Sequence, residues 1–270
     1  QDAVVKMAQA WATHIPFFKS YGNVGTRMIK EAASPRYIYV SEEERIKNIF
    51  IDNEVLQTRT DDHPEPQTYL PVLPWLLACG SQGVAVGFAA KVLPRHPKTL
   101  QKACIQILDG KVEATPLTPS FPGFKGSIEP NGENGWKISG FVEEAKGINN
   151  FTVTEVPFSY DREKYYEQLV ELEESGKIVS FADHCDSGGF KFQVKLNREQ
   201  RDKFDLDRLK YLGLVETTKE NFTTLDETGK LRIFEGPTQL IQHFLMYRIQ
   251  KKAEQIAFDI KKVQEQKEFL

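Results

Sequence analysis

The chain has 270 residues, of which 40% are hydrophobic and 27% are charged, and its formal net charge at pH 7 is −3. A chain of this length buries a sizeable core, so we expect two or three structural units. The sequence contains neither an apolar run of about 18 residues nor a charged-then-apolar leader, and therefore predicts a soluble protein without a membrane span or secretory signal.

The first segment, residues 1–62, begins inside a helical pattern at Gln1, so we expect a fragment of a longer polypeptide. The pattern predicts a helix to about Thr13, and then extended structure through the glycine-bounded turn YGNVGT and the strand PRYIYV. Pro35 discourages a helix that reaches Tyr37. Ser41 is expected to cap a helix over SEEERIKNIF, and the proline-rich stretch TDDHPEPQTYLPVLP marks a boundary.

Residues 63–234 mix the patterns of strands and helices. FTVTEV (151–156) and FKFQVKL (190–196) alternate apolar and polar residues as half-buried strands do. Asp161 to Glu174 predicts a helix that ends at Gly176, whereas PLTPSFPGFKGS holds too much proline and glycine for regular structure. We therefore expect an α+β region.

Residues 235–270 predict one long helix that begins at Pro237. Apolar residues recur there at spacings of four and three, as in a coiled coil: Ile249, Ala253, Ile256, Ile260 and Val263. From Pro237 to Leu270 such a helix is about 50 Å long, at ~1.5 Å per residue. Two interpretations stay open, an arm that separates parts of a dimer and an amphipathic helix lying on its own domain.

Two basic islands lie in this otherwise acidic chain. Residues 19–39 hold Lys19, Arg27, Lys30 and Arg36 against the single acid Glu31, and residues 91–102 hold Lys91, Arg95, His96, Lys98 and Lys102 without an acid. Clustered lysine and arginine neutralise phosphates, so a nucleic acid is a candidate partner. Either island alone is also compatible with a solvated face.

The surroundings of Tyr37 distinguish it from other tyrosines of the chain. A tyrosine in a strand is usually a packing residue, but Arg36 precedes this one, and Arg27 and Lys30 lie beside the glycine-bounded turn. Backbone N–H groups in such a turn can approach a phosphate closely. In a regular strand, Arg36 and Tyr37 would point to opposite faces unless a bend brought them together.

Several ordered segments resemble the type IIA DNA topoisomerases. GNVGTRMIKEAASPRYIYV is similar to the active-site segment of this family, LPWLLACGSQGVAVGFAAKVLPRHP to its Asn-Gly and Gly-Ile-Ala-Val-Gly block, and FPGFKGSIE to its Phe-Lys-Gly-Thr-Ile loop. The resemblance runs from residue 2 to the predicted coiled coil and is to the DNA breakage-reunion subunit. Together with the absence of ATPase motifs, these segments look most like those of the T-even bacteriophage branch of the family.

The resemblance implies a fold in three parts: residues 1–62 as the C-terminal part of a winged-helix domain, 63–234 as a tower domain, and 235–270 as the start of a coiled coil. It implies that Tyr37 attacks a DNA phosphodiester to form a 5′-phosphotyrosyl bond and that Arg36 stabilises the transition state. Val84 matches an isoleucine that wedges between base pairs and bends DNA. We expect further DNA contacts from Arg27, Lys30, Lys91, Arg95 and Lys98.

Cofactors are expected on a partner subunit. The sequence has no GxxxxGK[ST] loop, and Asp205-Leu206-Asp207 lacks a matching glutamate motif, so we interpret it as surface and predict no metal ligands here. Cys79, Cys104 and Cys185 lie outside CxxC spacing, which argues against zinc and favours a reducing, cytoplasmic setting, that of the host if the chain is from a phage.

The resemblance thus implies an ATP- and Mg²⁺-dependent homodimeric enzyme in which a second subunit binds ATP and metal and double-stranded DNA is the substrate. This fragment alone is expected to be inactive. The alternative is an architectural protein that binds and bends DNA without cleaving it.

Overall fold

The computed structural model describes residues 2–51, 55–56, 58–60, 63–66, 68–85, 87–111 and 116–269. Its helices are α1 (Asp2–Met7), α2 (Trp75–Cys79), α3 (Pro97–Leu108), α4 (Arg162–Glu174), α5 (Arg198–Leu206), α6 (Arg208–Tyr211) and α7 (Pro237–Phe269), with 3₁₀ helices at Pro35–Tyr37 and Glu44–Asn48. Its strands are β1 (Phe18–Tyr21), β2 (Tyr39–Glu42), β3 (Thr58–Thr60), β4 (His63–Pro66), β5 (Ser81–Ala85), β6 (Phe88–Val92), β7 (Ser127–Pro130), β8 (Gly135–Ser139), β9 (Phe141–Glu144), β10 (Asn150–Glu155), β11 (Ser180–Asp183), β12 (Phe192–Lys195), β13 (Val215–Lys219), β14 (Phe222–Leu225) and β15 (Leu231–Phe234).

Two compact units, each discontinuous in sequence, make up the chain. Unit 1 consists of Gln1–Ser41 and Thr118–Glu220, and unit 2 of Glu42–Leu117 and Asn221–Leu270. Both mix helices and strands, which confirms the predicted α+β class. The two compact units divide the chain after Ser41, Leu117 and Glu220. The domain boundaries expected after residues 62 and 234 stay predictions.

Unit 1 is built on antiparallel sheets. The larger has the order β11-β12-β10-β9, the smaller β13-β8-β7, and β1 pairs with β2 separately. Alternation in β10 and β12 places Phe151, Val153, Phe192 and Val194 in the core, as the period of two predicts. Helix α4 covers this core with Tyr165, Leu169 and Leu172, at spacings of four and three.

Helix α4 also confirms the predicted helix start and stop. The side chain of Asp161 accepts a hydrogen bond from the backbone N–H of Lys164 at 2.9 Å, and Gly176 follows the helix with φ +68°. Residues 116–126 contain neither a helix nor a strand, as predicted for the segment rich in proline and glycine.

The N-terminal predictions were partly wrong. Helix α1 ends at Met7 rather than near Thr13, and Ser41 lies inside β2 instead of capping a helix. The short 3₁₀ helix that follows starts after Glu43, which forms no side-chain cap. Of the connector TDDHPEPQTYLPVLP, residues 61–62 and 67 lie outside the described residues.

Unit 2 packs α2, α3 and the beginning of α7 against two hairpins. Its core includes Leu77, Leu100, Phe222, Phe234 and Ile241. The β5–β6 hairpin joins the β14–β15 hairpin through Lys91 and Asn221, which exchange backbone hydrogen bonds of 3.0 and 2.8 Å. The β5–β6 hairpin, which carries Val84, is therefore anchored to the rest of unit 2 through the β14–β15 hairpin.

Helix α7 has 33 residues, and its buried apolar side chains lie near its start. Leu240, Ile241 and Leu245 lie in the unit 2 core, whereas Ile249, Ile256, Ile260 and Val263 are each more than half exposed. The long helix predicted from Pro237 is confirmed. No helix among the described residues has the length and apolar character that crossing a membrane requires.

Candidate active site

Tyr37 ends a single 3₁₀ turn that begins at Pro35. Ser34 before the proline is extended, with φ −53° and ψ 137°, and the N–H of Tyr37 donates to the carbonyl of Ser34 at 2.9 Å. Proline restricts the residue before it and fits the first position of a helix, where no N–H is required. The prediction that Pro35 keeps Tyr37 out of a helical turn was therefore wrong, since the restriction acts on Ser34.

The turn brings Arg36 and Tyr37 together. The Arg36 guanidinium lies 5.8 Å from the centre of the Tyr37 ring, which a regular strand, with its alternating side chains, would not allow. Tyr37 is 67% exposed and Arg36 is exposed as well. A phenol and a cation are thus presented side by side to anything that approaches from solvent.

Gly22 packs directly against the backbone of Tyr37. Its φ is +99°, and a Cβ atom placed on it would lie 2.6 Å from the carbonyl oxygen of Tyr37. Only glycine meets both conditions without strain. The structure shows Gly22 supporting the chain at the tyrosine, and the approach of this glycine-bounded turn to a phosphate stays a prediction.

Arg27 anchors the loop between the glycine turn and Tyr37. Its guanidinium donates to the carbonyls of Val156 and Pro157, both at 3.0 Å, and to the carbonyl of Tyr160. It also lies 3.5 Å from the Glu155 carboxylate. Burial lowers the pKa of Arg27, and the nearby Glu155 opposes that shift.

Lys30 is held in the same way. Its ammonium group donates to the carbonyl of Ser159 at 2.9 Å and to that of Phe158 at 3.3 Å. Burial lowers its pKa first, and the neighbouring Arg27 lowers that pKa further. Arg27 and Lys30 were predicted to contact DNA; in this structure their charged groups fix the loop that precedes Tyr37, and the DNA contact itself stays a prediction.

Val84 lies near the tip of the β5–β6 hairpin and is 87% exposed. The space that a Cβ would take at Gly83 or Gly87 is open to 4 Å, and Gly87 has φ +79°. An apolar side chain held in water at a hairpin tip is suited to insertion into a partner. This exposure is compatible with the predicted role of Val84 as a wedge, which stays a prediction.

The second basic island divides into exposed and buried residues. Lys98 and Lys102 are exposed on α3 and Lys91 is half-buried, but Arg95 is completely buried. Its guanidinium donates to the carbonyls of Leu93 at 2.6 Å and Leu117 at 3.1 Å. Because a buried guanidinium cannot reach a DNA phosphate, the structure contradicts the DNA-contact prediction for Arg95.

The acidic pair Asp205 and Asp207 has structural partners. Asp205 lies 3.3 Å from Arg201 and 2.8 Å from Arg208, and Asp207 caps α6 by accepting from the N–H of Lys210 at 3.1 Å. Among the described residues, no three His, Cys, Asp or Glu side chains are grouped so that they would hold a metal ion. The described residues therefore do not form a site that fits Mg²⁺.

His184 and Cys185 lie in the loop that connects β11 to β12. The Cys185 sulfur accepts from the N–H of Lys191 at 3.2 Å, and burial raises the pKa of its thiol to about 12. Such a thiol is almost fully protonated at neutral pH and is a weak nucleophile.

The sequence did not reveal the contacts that position the tyrosine. The loop from Val156 to Tyr160, which receives Arg27 and Lys30, is almost 130 residues away in sequence, and nothing in its composition marks carbonyl acceptors. Gly22 was noticed as part of a turn, but its contact with Tyr37 needs the three-dimensional structure.

Comparison with known proteins places the sequence among DNA topoisomerase subunits. The family model for the A-type subunit of DNA gyrase/topoisomerase IV matches residues 1–270. The DNA topoisomerase medium subunit of Enterobacteria phage T4 is 32% identical over 260 residues, which cover 92% of this chain and 57% of that protein. DNA topoisomerase 2 of Invertebrate iridescent virus 6 is 28% identical and is covered to 22% of its length, so the chain spans little more than half of the first relative and less of the second.

The fold has a solved counterpart. The crystal structure of the Plasmodium falciparum topoisomerase II DNA-binding, cleavage and re-ligation domain superimposes with a TM-score of 0.91 at 24% identity, covering 98% of this chain and 38% of that one. The resemblance to the T-even phage branch seen in the sequence is confirmed by the T4 match. With a model that matches its full length and a fold that agrees, this chain belongs to the DNA gyrase/topoisomerase IV A-type family of type II DNA topoisomerase subunits.

Proposed function

We propose that the chain is the DNA cleavage and religation part of an ATP-dependent type IIA topoisomerase and that Tyr37 is its nucleophile. One observation carries the proposal: Arg36 and Tyr37 are exposed together on a 3₁₀ turn, and Gly22 and Arg27 hold the segments on either side of it.

The chemistry is an exchange of esters. The Tyr37 hydroxyl oxygen attacks a phosphorus of the DNA backbone, a tyrosine–phosphorus bond forms, and the bond from phosphorus to the 3′ oxygen breaks. The phenol loses its proton and the leaving 3′ oxygen gains one, so the products are a 5′-phosphotyrosyl end and a free 3′ hydroxyl. Because one phosphodiester replaces another, the reverse step reseals the strand without a further energy source.

Arg36 stabilises charge at the reacting phosphate. Among the described residues no carboxylate pairs with its guanidinium, which lies beside the Tyr37 ring, so it is placed for the phosphate that Tyr37 attacks. A preorganised cation lowers the barrier most where negative charge grows in the transition state. Arginine also offers two parallel donors to phosphate oxygens.

DNA bending is assigned to the tip of the β5–β6 hairpin. Val84 is almost fully in solvent, and an apolar side chain that enters a base step unstacks it at a cost of a few kcal/mol and kinks the duplex. Lys91, Lys98 and Lys102 supply phosphate contacts that do not depend on sequence.

The remaining parts of the enzyme are assigned to other polypeptide segments. A phenol is a weak nucleophile at neutral pH, and the described residues do not fit a metal site, so Mg²⁺ and ATP are assigned to a partner subunit. Bound to that subunit, Mg²⁺ would supply positive charge that neutralises a phosphate. We further propose that residues 1–62 are the C-terminal part of a winged-helix domain, that α7 begins a coiled-coil arm, and that the enzyme is a homodimer acting in the host cytoplasm.

A trapping experiment tests the proposal. The chain is combined with its partner subunit, Mg²⁺ and a labelled duplex, the mixture is denatured, and protein-bound DNA is measured. Wild type should give a denaturation-resistant adduct and Tyr37→Phe none, with DNA affinity nearly unchanged because the Tyr37 hydroxyl is assigned to the reaction and not to holding the strand. Tyr39→Phe, at a tyrosine that is 71% exposed two residues away, is a control for substitution beside the site. Absence of an adduct with wild type would favour an architectural protein that binds and bends DNA.

A further inference from the structure

An exposed polar face lies on the β1–β2 sheet, beside the tyrosine turn. On β1, Lys19 and Tyr21 are two residues apart and share a face, as Tyr39 and Ser41 do on β2. The Tyr21 hydroxyl hydrogen bonds to the Ser41 side chain across the two strands, which places both pairs on the same side of the sheet. All four residues are exposed.

The face is next to Tyr37 in space. Tyr21 precedes Gly22, whose Cβ position would be 2.6 Å from the Tyr37 carbonyl and 3.5 Å from the Ile38 Cα. Tyr39 follows Tyr37 by two residues. A duplex whose backbone reaches the Tyr37 hydroxyl therefore passes beside this face, since neighbouring phosphates along a strand are only several ångströms apart.

The groups on the face suit a phosphate. Lys19 supplies an ammonium group, and its Nζ is 5.5 Å from the centre of the Tyr21 ring. The Tyr21 hydroxyl, which accepts a hydrogen bond from Ser41, can donate its own proton to a phosphate oxygen. Hydroxyl and lysine donors of this kind position proteins on the DNA backbone without reading bases. The hydrogen bond from Ser41 and the positive charge of Lys19 lower the pKa of Tyr21, which makes its hydroxyl a better hydrogen-bond donor.

We infer that Lys19, Tyr21 and Ser41 form a seat for a DNA backbone phosphate adjacent to the phosphate that Tyr37 attacks. The inference rests on the proposed function, because it takes the duplex to lie at Tyr37. The seat fixes the position of the strand before the reaction and takes no part in bond breakage. Lys19 and Tyr21 are thus positioning residues, and they hold one phosphate jointly.

The test measures DNA affinity against salt in the complete enzyme, reconstituted with its partner subunit. The variants are Lys19→Gln, Tyr21→Phe and the double variant, on a duplex that also serves for adduct trapping. Lys19→Gln should flatten the slope of log affinity against log salt by about 0.9. Tyr21→Phe should weaken binding roughly three- to tenfold with the slope retained.

Two controls match the charge and ring changes. Lys203→Gln removes an exposed lysine that pairs with Glu199 at 3.3 Å on α5, and Tyr166→Phe removes a hydroxyl from a tyrosine that is 44% exposed on α4. Both should bind DNA as wild type does, with the same salt slope. Thermal melting of every variant should match wild type, because the changed groups are at the surface.

The double variant decides whether one phosphate is shared. If Lys19 and Tyr21 hold the same phosphate, the double variant loses less affinity than the product of the two single losses. Strictly multiplicative losses, or a Lys19→Gln slope equal to wild type, would overturn the seat. The Tyr37-dependent adduct of the wild-type enzyme reports on the proposed function separately: if it is absent, the function fails, while the salt slope still decides whether this face binds phosphate.

Discussion

Replacement of Gly22 by alanine is the most informative single change, because it moves the tyrosine without touching it. The added Cβ would be 2.6 Å from the Tyr37 carbonyl oxygen, whereas ordinary contact begins at 3.4 Å, so the backbone at Tyr37 must shift by about 0.8 Å. A misplacement on the order of 1 Å at a reacting group costs roughly 100-fold in rate, equivalent to about 2.7 kcal/mol of barrier. We therefore expect cleavage to fall about 100-fold in Gly22→Ala.

Backbone strain has to be separated from this displacement. Alanine at φ +99° also costs about 1–2 kcal/mol, which lowers the melting temperature by a few degrees in a chain of this size. Gly132 is a matched control, since it has φ +78° with nothing within 4 Å of its Cβ position. Gly132→Ala should lose similar stability and keep its cleavage rate.

The assay is single-turnover formation of the covalent adduct at saturating DNA. Because the DNA is saturating, a change in DNA affinity in either variant does not alter this comparison of cleavage rates. If Gly22→Ala cleaved as fast as Gly132→Ala, the inferred support of Tyr37 by Gly22 would be refuted.

Three further predictions concern unit 2. Val84→Ala should reduce DNA bending in a fluorescence-transfer assay with little change in melting temperature, because the side chain is 87% exposed; intact bending with a loss of many degrees would contradict the wedge. Arg95→Gln should lower the free energy of unfolding by about 2–4 kcal/mol, because buried charge-assisted hydrogen bonds to the carbonyls of Leu93 and Leu117 are lost. A denaturant titration with an unchanged midpoint would argue against the structural role of Arg95. Lys98→Gln together with Lys102→Gln should flatten the salt dependence of DNA binding by roughly one unit per lost contact, with stability within about 0.5 kcal/mol of wild type; an unchanged salt slope would show that both lysines face solvent.

Strong local patterns were sufficient to predict β10, β12, α4 and α7. Strands β10 and β12 alternate apolar and polar residues, and α4 begins with an Asp cap and ends before Gly176, so each carries its own signal. The helix α7 likewise follows from Pro237 and a repeat of four and three. Elements of this kind can be predicted because the signal for each lies within its own stretch of sequence.

The site was predicted in identity but not in geometry. Resemblance marked Arg36 and Tyr37, yet the strand expected there is a 3₁₀ turn, since Pro35 at its first position favours the turn after it. Arg95 and Arg27 were predicted to contact DNA because each lies in a basic run. Their hydrogen-bond acceptors are backbone carbonyls, in the case of Arg27 about 130 residues distant, and carbonyls carry no sequence signal.

The central claim is that Tyr37 becomes joined to the 5′ end of cleaved DNA. Its most direct measurement is mass spectrometry of the trapped adduct after nuclease and protease digestion, with the DNA ends labelled separately at 5′ and 3′. We predict a nucleotide remnant on the peptide that contains Tyr37 and a free 3′ hydroxyl on the released strand. A remnant on any other residue, or a bond to the 3′ end, would contradict this claim.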